Sequence, residues 1–310
     1  MTDLRGAVRA ATARLAAADV PSPAVDAAHL AAHVLGCGPG EVQRRMLLGA
    51  ALTDEQRQRY AELVDHRVAR VPLQHLTGRA GFRRLELSVG PGTFVPRPET
   101  ELSVELVLGE LDVLGSADPD AADPARTVVD LCTGSGAIAL AVRDERPATR
   151  VLAVELSERA ARRARHNATT LDLDVTVIHA DATGDPRTAS DLAPLRDLVG
   201  GVDVVVSNPP YIPLGAVPRD PEVRDHDPDL ALYGGSAEGL AIPLAVARTA
   251  AALLRPGGLL VMEHADSQGE TLPAALRAGG WLDVCDHRDL AGRPRVTTAR
   301  RSGGTEGLAG

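Results

Sequence analysis

The sequence predicts an α/β protein: a doubly wound, mostly parallel sheet with an antiparallel last strand, preceded by a small N-terminal helical domain and a β-hairpin linker. Three observations carry this expectation. Residues 202–206, Val-Asp-Val-Val-Val, form a largely apolar, β-branched run without helical period, and the run stops at Ser207-Asn208-Pro209-Pro210-Tyr211. That is the pattern of a buried parallel strand. Residues 127–132 form a second such run that enters Thr133-Gly134-Ser135-Gly136 and then a helical pattern, as at the opening of a nucleotide site. Strand and helix patterns alternate beyond residue 99, whereas only helical patterns precede residue 76.

The amino-terminal helices follow from spacing. Leu4, Val8, Ala11 and Leu15 share one helical face, and residues 24–35 continue helically until Gly36 and Gly38 interrupt the pattern. A third helix is expected near residues 41–48. Thr53-Asp-Glu-Gln56 offers a capping box for a fourth running towards Val71. This domain, residues 1–76, reads equally as a stabilising cap or as a surface that selects a macromolecular partner. Residues 77–98 read as the hairpin linker: Phe82, Leu85, Leu87 and Val89 alternate with polar residues, and Gly90-Pro91-Gly92 marks a turn. The linker delivers Phe94-Val-Pro-Arg97-Pro-Glu-Thr-Glu101 to a helix expected over residues 99–111. A solvated loop is expected over residues 114–126.

Within residues 99–301, further strands are expected at 150–154, 175–179, 259–263, 281–285 and 295–299, with helices at 158–169, 239–254 and 269–278. No helical stretch separates the last two strands, so they are expected to pair antiparallel. Residues 302–310 are expected to form a disordered tail.

Composition excludes several classes. The chain of 310 residues carries a net charge of -9 and 44% apolar residues, with no apolar run long enough to span a bilayer and no basic and apolar leader. Neither membrane association nor secretion is expected. The acidic balance disfavours direct nucleic-acid binding, which needs concentrated positive charge. Cys37, Cys132 and Cys285 are few, odd in number and far apart, so neither a disulfide framework nor a metal site is expected, and a reducing cytoplasm fits best. The chain contains no lysine, so every cationic contact falls to arginine or histidine.

The candidate chemistry lies at strand ends. Gly134 and Gly136 permit a sharp turn and close approach of a ligand to the backbone. Glu155 ends the next strand, nineteen positions after Gly136, where a carboxylate can accept both hydroxyls of a ribose. Asp181 is a third strand-end acid. The glycines alone do not separate a dinucleotide from an adenosyl ligand; Asn208-Pro209-Pro210-Tyr211 does. An amide or exocyclic NH2 is a poor nucleophile because its lone pair is delocalised. The Asn208 side-chain oxygen and the Pro209 carbonyl are two acceptors for its hydrogens and would hold the nitrogen facing a methyl donor. Tyr211, one of only six aromatic residues in the chain, can pack against the planar group.

At these residues the sequence resembles the methyltransferases that modify the glutamine of the Gly-Gly-Gln motif in peptide chain release factors. The resemblance spans residues 5–301. It rests on Asp26-Ala-Ala-His-Leu, Phe94-Val-Pro-Arg-Pro-Glu-Thr-Glu101, Asp130-Leu-Cys-Thr-Gly-Ser-Gly-Ala-Ile-Ala-Leu140, Asn208-Pro-Pro-Tyr211, Ala231-Leu-Tyr-Gly-Gly235 and Asp289-Leu-Ala-Gly-Arg-Pro-Arg-Val296. It implies a Rossmann-like class I methyltransferase sheet, with S-adenosylmethionine as donor, S-adenosylhomocysteine as product and no metal. It further implies Cys132, Thr133, Gly134, Ser135 and Gly136 around the donor's amino-acid end, Glu155 on its ribose, and Asp181 and Ala182 beside its adenine. Asn208, Pro209, Pro210 and Tyr211 then form the catalytic and glutamine-binding site, with Asn208 also against the donor. The helical domain and the segment carrying Phe94 and Arg97 help hold the release factor. A monomer is expected.

Two positions depart from the family pattern: Cys132 stands where glycine is usual, and Glu155 where aspartate is common. A β-like backbone at Cys132, or weaker donor binding, is expected from the first. Ala182 replaces what is often a larger residue. Methylation of a ribosomal protein's glutamine is the nearest alternative, followed by adenine-N6 methylation of nucleic acid; a nicotinamide-dependent enzyme and an inactive binding module fit the residues less well.

Overall fold

The computed structural model describes residues 3–116 and 126–303. Residues 117–125 of the expected loop, and the expected tail beyond residue 303, lie outside the described residues. The chain forms two compact units, one made of Met1–Arg79, Val89–Pro91 and Pro218–Asp227, the other of Ala80–Ser88, Gly92–Val217 and Pro228–Gly310.

The first unit contains α1 (Leu4–Ala17), α2 (Pro23–Leu35), α3 (Pro39–Leu47), α4 (Asp54–Val68) and α5 (Leu73–Thr77). Their ends follow local chemistry. The Asp3 side chain caps α1 by accepting from the Gly6 amide, Pro23 and Pro39 occupy first-turn positions where no amide hydrogen is needed, and Gly36 closes α2 in the left-handed region. The capping box at Thr53 and Gln56 is present in both directions, at 3.2 and 3.0 Å. Leu4, Leu15, Leu30, Val42 and Leu63 form the core of this unit. Beside it, buried Arg67 donates to Asp26 at 2.7 Å and to Glu222 at 2.6 Å; Glu222 lies on the short helix Pro221–His226. Removing the guanidinium would leave Asp26 without its cation in a poorly solvated site, a loss of roughly 3 to 5 kcal/mol, while Arg70 would still hold Glu222 at 3.1 Å.

The second unit opens with the hairpin β1 (Arg79–Phe82) and β2 (Leu85–Ser88). The hairpin's own turn lies at Arg83, which adopts φ +53°, and the turn expected at Gly90-Pro91-Gly92 follows β2, with Gly92 at φ +80°. Arg83 pairs with Glu145 at 2.8 Å and holds the turn there. Phe82 and Leu87 are fully buried in the same core as Val104, Leu108 and Ala141. One 3-10 turn, Pro98–Thr100, then leads into α6 (Glu101–Ser116), which runs past residue 111 and through residues 114–116, where a loop was expected. Apolar Val107, Leu108 and Leu111 keep facing the core, so the helix persists.

The remaining elements are β3 (Thr127–Leu131), α7 (Ala137–Glu145), β4 (Arg150–Glu155), α8 (Glu158–Thr170), β5 (Val175–His179), β6 (Val202–Ser207), α9 (Pro221–His226), α10 (Asp229–Leu232), α11 (Ala241–Leu253), β7 (Leu254–Glu263), α12 (Thr271–Ala278), β8 (Leu282–Arg288) and β9 (Pro294–Arg300). Of these α9 belongs to the first unit. The seven-stranded sheet has the order β5-β4-β3-β6-β7-β9-β8. β3, β4, β5, β6 and β7 run parallel, while β9 runs antiparallel to both β7 and β8. Alternate residues face opposite layers: Val129, Leu131 and Val205 join one core cluster, and Val128, Val204 and Val206 the other.

Strand order reverses between β3 and β6, which places a crevice beyond their carboxyl ends. Leu131 pairs with Ser207, and the Ser207 hydroxyl donates to the Leu131 carbonyl at 2.6 Å. Cys132 and Asn208 therefore leave the sheet side by side. Among the described residues, no helix is long and apolar enough to cross a membrane.

Candidate active site

The turn after β3 is built around Asp130. Its carboxylate is fully buried and accepts from the Thr133 hydroxyl at 2.5 Å and the Ala139 amide at 3.2 Å. Burial, and secondarily the Glu155 charge, push its pKa up to about 7, against the pull of those hydrogen bonds. Gly136, at φ +88°, starts α7, and a Cβ there would lie 3.0 Å from Leu140 and 3.3 Å from Ala164. Gly134, at φ +59°, is different: a Cβ built on it meets nothing within 4 Å. One glycine thus serves packing, the other leaves open space at the strand ends. Asn167 of α8 fixes the turn from behind, donating to the Ser135 carbonyl at 2.9 Å while it pairs with both backbone groups of Ser88.

Cys132 corrects an expectation. Its φ is +66°, in the left-handed region and not β-like. The turn needs this conformation whichever residue occupies it, and a non-glycine residue there costs about 1 to 2 kcal/mol. Burial, with Glu155 and Asp130 nearby, raises its thiol pKa, so the group stays protonated.

Glu155 is buried at the end of β4 and closes the turn. One carboxylate oxygen accepts from the Gly134 amide at 2.8 Å and the other from the Ser157 amide at 2.7 Å. The additional methylene of glutamate is taken up by this reach. Burial raises the Glu155 pKa, opposed by the same backbone amides. Asp181 accepts from the Thr183 amide and hydroxyl, at 2.9 and 2.7 Å, and so shapes its own loop. Ala182 is buried in the core cluster with Leu192 and Ile178.

At the end of β6, Asn208 is partly exposed and its amide nitrogen donates to Thr100 Oγ1 at 3.4 Å. Pro209 is buried, and Pro210 and Tyr211 are partly so. The Tyr211 hydroxyl donates to Glu263 at 3.3 Å, its carbonyl accepts from Gln268 at 3.0 Å, and burial with the Glu263 charge raises its phenol pKa. Phe94 and Arg97 lie together, with the guanidinium 5.4 Å from the ring centroid. Sequence reasoning missed Thr100, Asn167 and Glu263 as members of this region. Glu263 carried a usable signal, being another carboxylate at the end of a buried strand; Asn167 carried none, because its partners lie far away in sequence.

A doubly wound sheet that opens on a glycine turn with an acid ending the second strand, and that closes on an antiparallel β9 inserted between β7 and β8, is the class I methyltransferase fold. A family model described as "Methyltransferase small domain" matches residues 113–217, and one described as "PrmC N-terminal domain" matches residues 6–78. The chain is 48% identical over 304 residues to the release factor glutamine methyltransferase of Streptomyces coelicolor, covering 97% of this chain and 99% of that one. It is 46% identical over 302 residues to that of Mycolicibacterium smegmatis, and 39% identical over 302 residues to that of Deinococcus radiodurans, each match covering 97% of this chain and 99% of the relative. The chain belongs to the release factor glutamine methyltransferase family.

Proposed function

We propose that this protein transfers a methyl group from S-adenosylmethionine to the side-chain amide nitrogen of the glutamine in the Gly-Gly-Gln motif of peptide chain release factors, in a cytoplasm that keeps its three cysteines reduced. The observation that carries the reading is the pairing of Leu131 with Ser207, which sets the glycine turn beside Asn208-Pro209-Pro210-Tyr211 at the switch point of the sheet. Similarity along 97% of the chain to relatives named for this activity supports the substrate class.

The residues present fit the donor, because Gly134 leaves open space at the strand ends where any side chain would intrude. Cys132, Thr133, Gly134, Ser135, Gly136, Glu155, Asp181, Ala182 and Asn208 would hold it. Bound there, it supplies an electrophilic methyl group on a sulfonium; no metal is called for. Asn208 Oδ1 and the Pro209 carbonyl accept the two hydrogens of the glutamine amide and orient its nitrogen, which also helps that nitrogen rehybridise as its lone pair is drawn into bonding. The prolines keep the two acceptors in one fixed geometry. Tyr211 packs against the amide plane, and Phe94 and Arg97 contact the surrounding polypeptide.

Asn208→Ala tests the assignment. Turnover should fall on the order of 10² to 10³, as for loss of one preorganised hydrogen-bond partner, while donor affinity measured by calorimetry should fall far less, since Asn208 is one of nine residues that would hold the donor. An Asn208→Ala enzyme with unchanged turnover would remove Asn208 from the role given to it.

A further inference from the structure

Asn208-Pro209-Pro210-Tyr211 has to hold two acceptors at a fixed spacing, so its two ends need anchors. The upstream end is pinned by β6, where the Ser207 hydroxyl donates to the Leu131 carbonyl at 2.6 Å. Pro209 and Pro210 fix φ but have no amide hydrogen with which to tie the segment down. The downstream end meets Gln268, on the 3-10 turn Asp266–Gln268 that follows β7. The Gln268 side chain is buried. Its Nε2 donates to the Tyr211 carbonyl at 3.0 Å and to the Glu238 carbonyl at 2.8 Å, while its Oε1 accepts from the Ala265 amide at 3.0 Å. Two carbonyls and one amide admit only this orientation of the carboxamide, because half a turn would set Oε1 against two acceptors. Gly239 makes room for the junction: it adopts φ +73°, and a Cβ there would collide with the Tyr211 oxygen and lie 3.0 Å from Gln268 Nε2.

We infer that Gln268 is a positioning residue that fixes the two acceptors of Asn208-Pro-Pro-Tyr by anchoring the last carbonyl of the segment. The inference rests on the reading of Asn208 and Pro209 given above. With φ set at both prolines, a swing of the segment has to be taken up at its ends, and the Tyr211 carbonyl is the end that β6 does not hold. Rotation there would carry the Pro209 carbonyl off the line to the glutamine nitrogen, and a small displacement of a reacting pair is costly in rate. The chain just beyond is secured as well: the Ile212 amide donates to the Leu232 carbonyl at 2.7 Å and the Gly234 amide to the Ile212 carbonyl at 2.9 Å. Gln268 therefore closes a junction between the catalytic segment, the loop through Glu238 and the end of β7. None of its three partners belongs to a residue assigned to the donor, so its effect falls on the methyl-accepting half of the site.

The test is a double-mutant cycle on the full-length enzyme, read as steady-state methyl transfer to purified release factor. Calorimetric titration with S-adenosylmethionine gives donor affinity and counts folded sites, so that kcat is expressed per donor-binding site. Gln268→Glu keeps the size of the side chain and the acceptor for Ala265 but has no hydrogens for the two carbonyls; Gln268→Met keeps the length without adding charge. Each should lower kcat about tenfold and leave KM and donor affinity within about twofold. In an Asn208→Ala background the same changes should cost less than about threefold, because the pair of acceptors they align is already broken. An equal loss in both backgrounds would mean that Gln268 acts through general packing and would overturn the inference. So would a loss carried by KM or by donor affinity, or an undiminished kcat in both Gln268 variants beside an impaired Asn208→Ala. Full activity of Asn208→Ala would instead remove the reading on which the inference rests.

Discussion

The Gly134 amide donates to Glu155 Oε2 at 2.8 Å, joining the turn after β3 to the end of β4. This single hydrogen bond makes the strand-end acid part of the glycine turn. Ser157 supplies a second amide to the other oxygen at 2.7 Å, so the carboxylate is shaped from both sides within its own strand ends.

Replacing Glu155 by alanine should therefore damage two properties together. Both amides lose a charged acceptor in a poorly solvated site, and stability should drop by about 2 to 3 kcal/mol in urea denaturation. Donor affinity, measured by calorimetry, should weaken at least about tenfold because the turn loses its fixed shape and, on the proposed reading, the ribose its acceptor. Glu155→Gln keeps one acceptor and should fall between the two.

Cys132 yields a prediction of opposite sign. Its positive φ strains any residue with a Cβ, whereas glycine adopts that conformation freely. Cys132→Gly removes about 1 to 2 kcal/mol of native strain and loses about 0.5 to 1 kcal/mol to the greater freedom of the unfolded chain. Unfolding free energy should rise slightly. A clear loss would show that side-chain packing at Cys132 outweighs the strain.

Asp130 sets a pH dependence of stability. Its pKa is raised from 3.8 to about 7 in the folded protein. Between those values the native state binds more protons than the unfolded chain, so unfolding free energy falls as pH rises through that window and levels off above it. Buried Glu263, raised from 4.5 to about 7, acts in the same sense. Glu41 and Asp289, held low by arginines and backbone amides, contribute stability that is lost only as pH falls into the acid range. Equilibrium denaturation at constant ionic strength should show the decline between about pH 4.5 and 7, and Asp130→Asn should flatten its slope.

Much of this architecture was legible in the residues, for physical reasons that differ from element to element. The β-branched runs of β3, β4 and β6 have no helical period, so strand was their only economical reading, and the glycines between β3 and α7 marked the turn. The double capping at Thr53 and Gln56 was local and therefore readable. The turn of the hairpin was not legible because Arg83, not a glycine, adopts the left-handed conformation there, its position secured by Glu145 far along the chain. The expected β-like Cys132 failed for the same reason: tertiary geometry imposed a conformation that residue type disfavours. Thr100 and Asn208 were invisible as partners because 108 positions in sequence separate them and only the fold brings them together. Position 222 illustrates this most plainly, since nothing in a proline-rich and charged excursion signals that its glutamate joins Arg67 and Asp26 in the helical unit.

The central claim is tested most directly by transfer of labelled methyl from S-adenosylmethionine to purified release factor, run beside the same factor with the glutamine of its Gly-Gly-Gln motif changed to alanine. Label on the unchanged factor alone, located on the glutamine side-chain nitrogen by mass spectrometry, is the predicted result. Absence of label on both factors, with the donor demonstrably bound, would contradict the assignment of release factors as substrate.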